Sequence, residues 1–64
     1  MKTVYDVLLE KITAHRYAVA DSLVSGAAKD YAEYRELCGL IRGLETAQRE
    51  VSDLAQTQLD ADND

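Results

Sequence analysis

Proline, phenylalanine and tryptophan are absent from the chain, and cysteine, methionine and histidine occur once each. Without proline, no position removes a backbone donor from a helix interior, and the missing Phe and Trp leave four tyrosines as the aromatic content. A single cysteine, Cys38, rules out an intrachain disulfide framework. With only His15 beside it, it also falls short of the ligand set of a structural zinc site. No continuous apolar run reaches the length of a signal peptide or a membrane span, so the expectation is cytosolic synthesis without membrane association. The lone thiol agrees with a reducing compartment. Basic charge is also scarce. Seven Lys and Arg face twelve Asp and Glu, a formal net charge of -5, which disfavours general nucleic-acid binding because that needs a positive field to displace counterions.

What is present is a short chain rich in helix formers. Sixty-four residues make one small domain. Below roughly 70 to 80 residues a single core rarely supplies more than about 3 to 5 kcal/mol. With disulfide and metal set aside, self-association or docking on a larger partner is the expected source of support.

Val4, Leu8, Ile12, Val19 and Leu23 return to one side of a helix running from Thr3 to about Val24, with Thr3 as N-cap and Asp6 favouring the positive end of the helix dipole. Gly26 in "SGAAKD" suits a left-handed C-cap. Asp30 then reads as the N-cap of a second helix, with Glu33 placed for a capping box, although Ala27 and Ala28 would also let one long helix continue. The second helix is expected from about Tyr31 to about Leu59 on the stripe Tyr34, Leu37, Cys38, Ile41, Leu44, Val51, Leu54 and Ala55. The predicted fold is all-α: an antiparallel two-helix hairpin over residues 1–59 with an acidic tail at 60–64, completed by self-association or a protein partner. Leu9, Tyr17, Leu40 and Leu44 lie off the narrowest seam and form surplus apolar surface for that purpose.

Gly39 and Gly43 stand one turn apart inside the second helix, each costing about 1 kcal/mol relative to alanine. With Ala32 and Ala47 they form a shallow groove, and Ala14, Ala18 and Ser22 make a matching low ridge on the first helix. The spacing predicts that a helix backbone or a tyrosine ring packs over Gly39 and Gly43, by analogy with small-residue pairing in membranes. The competing reading leaves the glycines on a solvent face. Adjacent Leu40 and Leu44, together with Tyr31 and Tyr34 flanking the joint, complete the expected partner-binding set, tyrosine combining large contact area with a hydroxyl suited to a wet edge.

No residues announce chemistry. His15 and Cys38 lack a nucleophile elbow, a third orienting group and an oxyanion loop, so no catalytic residue is assigned. Asp60, Asp62 and Asp64 in "DADND" lack the glycine and terminal glutamate of a calcium loop, so neither a metal nor a cofactor is expected. This tail reads as solvated, with imitation of phosphate charge toward a basic partner as the sharper alternative. Arg35, Arg42 and Arg49 form a narrow basic stripe that nucleic acid could use, but Glu45 and Asp53, four residues either side of Arg49, offer local ion pairing as a sufficient account.

The segment "AAKDYAEYRELCGLIRGLETAQREVSDL", Ala27 to Leu54, resembles small uncharacterised helical proteins of tailed bacteriophages through Tyr34, Gly39, Ile41, Arg42, Gly43 and Leu44. That resemblance implies a phage-encoded accessory or virion-associated protein, made in the bacterial host cytoplasm. The expected function is a non-enzymatic interaction protein of virion structure or assembly. The alternative is a regulatory protein that binds and inhibits a host enzyme, and a small RNA-binding hairpin is a third reading.

Overall fold

The computed structural model describes residues 2–62. Two helices, α1 (Val4–Val24) and α2 (Tyr31–Asp62), fold back on one another as the expected antiparallel hairpin, about 52 Å long and only 19 by 12 Å in cross-section. The ends of α1 follow from local chemistry. The Thr3 hydroxyl accepts from the Asp6 amide at 3.2 Å, while the Asp6 carboxylate accepts from the Thr3 amide at 2.9 Å, a reciprocal capping box. At the other end Gly26 takes φ +80°, which lets its amide reach the Leu23 carbonyl at 3.1 Å and the Ala27 amide reach the Ser22 carbonyl at 3.0 Å. This paired closure satisfies carbonyls that the last turn would otherwise leave open, and it ends α1 where the sequence places the break.

Asp30 starts α2 by accepting from the Glu33 amide at 2.9 Å. Glu33 departs from the expected box: its carboxylate accepts from the Lys29 amide, one residue beyond the cap, at 2.7 Å. The far end also differs from expectation. α2 continues through Asp62, supported by Gln56 donating to the Asp60 carboxylate at 3.2 Å, so the first residues of the expected tail are helical. Asn63 and Asp64 lie outside the described residues.

The helices meet along a heptad seam. Tyr5, Leu9, Ile12, Arg16, Val19 and Leu23 of α1 alternate by four and three residues, as do Leu37, Ile41, Leu44, Gln48, Val51 and Ala55 of α2, and all but Val19 are half-buried. Here the structure corrects the sequence reading: Val4, Leu8, Tyr34 and Leu54 of the expected stripes are exposed, Leu9 belongs to the seam, and Leu44 lies in it as the stripe of the second helix predicts. The Thr13–Gln48 and Arg16–Glu45 contacts fix the register. At that register α2 projects beyond the start of α1 by about one turn.

Candidate interaction surface

Two helices can shield only one stripe each, and the consequence is visible in the core: Val19, 8% exposed, is the single buried hydrophobic residue among those described. The remaining large apolar side chains are exposed on both sides: Tyr17, Val24, Tyr31, Tyr34 and Leu59 toward one, Val4, Leu8, Leu40 and Leu54 toward the other. An α-helix turns by about 100° per residue, and because the chain reverses between α1 and α2, flanks lying in the same rotational sense from each seam fall on the same side of the hairpin.

One side is polar and internally tied. Gln48 donates to the Thr13 hydroxyl at 2.6 Å, Arg16 approaches Glu45 at 3.8 Å, and the Arg16 guanidinium lies 5.4 Å from the Tyr17 ring centroid. Arg16 Nε is shielded from water without a hydrogen-bond partner among the described residues. Two seam positions are thus polar, and a paired polar layer in an otherwise apolar seam fixes register at some cost in stability. Glu45 reaches across to Arg16 and not along its own helix to Arg49, so the expected local pairing does not account for the arginine stripe. Arg35, Arg42 and Arg49 are exposed along the outer surface.

The opposite side is less charged and uncovered. α1 contributes Val4 and Leu8, with Lys11, His15, Ala18 and Ser22 along the same flank; α2 contributes Leu40, Gly43, Ala47 and Leu54, with Glu33 and Glu36 toward the joint. Leu8, Leu40 and Leu54 are 44%, 46% and 55% exposed. Ser22, Glu33 and Glu36 line one shallow cavity at the joint end, as the shared-face geometry requires. At the register set by Thr13–Gln48 and Arg16–Glu45, Leu8 and Leu54 come together toward one end of this side, and Leu40 lies about 21 Å along α2 from Leu54.

The residues expected to bind a partner divide between these surfaces. Leu40 and Gly43 lie on the apolar face, and Leu44 sits beside them at the seam edge. Gly39 turns to the outer margin of that face. A Cβ built on either glycine meets nothing within 4 Å, so no helix or tyrosine ring of the same chain covers them. Any neighbour packed there belongs to another chain. Tyr31 and Tyr34 sit at the start of α2 on the polar side, their rings stacked with centroids 6.2 Å apart and both exposed. Cys38, one turn on from Tyr34, raises the tyrosine's pKa above the ordinary 10.0, first through a side-chain hydrogen bond and then through charge, with desolvation and Tyr31 adding to it.

Sequence reasoning missed Leu8 and Leu54 as surface residues and Arg16 and Gln48 as seam residues. The signal was the unbroken four-three alternation from Tyr5 to Leu23 and from Leu37 to Ala55, which holds only if an arginine and a glutamine are admitted to the stripe. His15 opens on the apolar flank and Cys38 on the polar one, so the fold does not bring them together. Among the described residues no helix is long and apolar enough to cross a membrane. No protein-family model, curated protein or solved structure matches the chain.

Proposed function

We propose that this protein is a non-enzymatic helical interaction protein that works by stoichiometric packing of its apolar face into a larger assembly. One observation carries this reading: Leu8, Leu40 and Leu54 stand uncovered on one side while Val19 alone is buried among the described residues. A chain with so small a core gains stability by covering that face. The residues assigned to contact are Leu40, Gly43 and Leu44, extended by Leu8 and Leu54. Tyr31, Tyr34 and Gly39 lie at the margins, where a partner that wraps the joint end would reach them.

The resemblance of Ala27 to Leu54 to small tailed-phage proteins supplies the context, a virion structural or assembly component. The alternative, a phage regulator that inhibits a host enzyme, draws on the projecting end of α2, where Asp60 extends beyond α1. Infection with phage encoding a tagged chain separates the two. Recovery at fixed copy number in purified particles, lost on Leu40→Glu, supports the structural role. Absence from particles with stoichiometric capture of one host enzyme supports regulation. Unchanged recovery by a folded Leu8→Glu/Leu40→Glu variant in either setting would refute the assignment of the face.

A further inference from the structure

We infer that the first occupant of the apolar face is a second copy of this chain, docked face to face with its joint at the opposite end, about a two-fold axis passing beside Ala47. The inference rests on the reading of this face as a docking surface and names its partner. Three observations carry it.

The first is length. α2 runs from Tyr31 to Asp62, and Ala47 lies at its midpoint, so an antiparallel α2 pair centred there overlaps along its whole length. The second is self-complementarity, which a two-fold interface requires because each patch must fit itself. Leu40 and Leu54 lie seven residues either side of Ala47, so each leucine of one copy meets the other leucine of its mate, and Ala47 meets Ala47. Alanine at the crossing, with Gly43 beside it, lets the two α2 backbones approach closely. On α1 the same axis sets Leu8 between Ala18 and Ser22 of the second copy, a large side chain over two small ones. The acidic Glu36 falls opposite Gln58 of the second copy and not opposite another carboxylate. The third observation is area. The 52 by 19 Å envelope bounds the face at about 1,000 Å² per copy, two helices wide only over the 21 residues of α1, which is of the order of the roughly 800 Å² per partner of a standard stable interface. The product is an antiparallel four-helix bundle in which the stripes left half-covered by the hairpin become its core.

Sedimentation equilibrium of the full chain tests the stoichiometry, and self-cross-linking tests the axis. The expected mass is twice 7.1 kDa, falling to that of a single chain in Leu40→Glu with helical circular dichroism retained. In a Cys38→Ser background, Ala47→Cys should cross-link to itself under mild oxidation. Leu40→Cys and Leu54→Cys should each do so weakly alone and efficiently when mixed. If Ala47→Cys perturbs folding, the mixed leucine pair decides the matter. A dimer that cross-links through Ser25→Cys and not through Ala47→Cys has its joints together and overturns the proposal.

A folded single-chain species at the highest attainable concentration also overturns it. In that event binding of an apolar dye separates the two claims. Dye bound by the wild type and lost in Leu40→Glu keeps the face as a docking surface for a different partner, whereas no dye binding removes the face as well.

Discussion

Gly39→Ala is the most direct probe of what α2 faces. Glycine inside a helix costs about 1 kcal/mol relative to alanine, because the unfolded chain loses more freedom and no side chain shields the backbone. Whether that gain appears on substitution depends on the space a methyl group would enter, and at Gly39 a Cβ would meet no atom within 4 Å beyond its own helical backbone and chain neighbours. The residue points away from the α1 seam and to the outer margin of the apolar face, so neither the hairpin nor the proposed antiparallel dimer crowds it. The substitution should therefore return nearly the whole increment, which for a domain of about this size is a rise in Tm of roughly 4 to 8 °C. Thermal unfolding followed by circular dichroism reads it, with wild type and variant at equal concentration because association makes Tm concentration-dependent. Gly43→Ala serves as the paired measurement. Within the chain a Cβ there is equally free, but in the proposed dimer it projects toward Ala47 and Val51 of the second copy, so its gain should be smaller than that of Gly39→Ala or reversed. A fall in Tm for Gly39→Ala would refute the reasoning and show that a neighbour packs over the outer margin. Equal rises at the two positions would show that nothing approaches Gly43.

The remaining expectations concern caps, the polar layer and titration. Thr3→Ala removes the acceptor for the Asp6 amide and should destabilise the protein by about 1 kcal/mol in urea unfolding, with the first α1 amides exchanging earliest. Thr13→Ala and Gln48→Ala should be non-additive, with a coupling of about 1 kcal/mol in a double-mutant cycle, because each alone strands the other partner of the 2.6 Å bond. Arg16→Leu should raise stability, since it replaces a half-buried guanidinium whose Nε has no partner with a residue that fills the seam; a drop in the urea midpoint would show that the Glu45 and Tyr17 contacts outweigh desolvation. Tyr34 has its pKa raised in the folded state, so the stability linked to it is intact below pH 10.0 and is lost as pH rises through the folded value. Absorbance titration should place one tyrosine above the others, and Cys38→Ala should return it toward 10.0.

The hairpin was legible because its ends are written in short-range chemistry. Thr3 with Asp6, Gly26, and Asp30 with Glu33 each act within one turn, and no distant contact is needed to predict them. The rotation of α1 was not legible, and the reason is physical. Val4, Leu8 and Ile12 make as good a stripe as Tyr5, Leu9 and Ile12, because α1 carries two adjacent apolar stripes that share Ile12 and Val19. A rule that ranks stripes by hydrophobicity selects the first and rejects the second, which contains Arg16. The folded chain takes the second, where Leu9 and Leu23 enter the seam and Thr13 and Arg16 come within reach of Gln48 and Glu45.

That choice bears on function. By placing an arginine and a glutamine in the seam, the sequence gives up burial inside the hairpin and leaves Val4 and Leu8 alongside Leu40 and Leu54 on one exposed face. The polar layer also resists rotation of either helix, since that would strand the Thr13, Arg16, Glu45 and Gln48 groups without one another. A seam weakened in this way and an apolar face kept open are two results of the same placement of side chains. On the proposed reading, the stability that so small a core leaves out comes from covering that face.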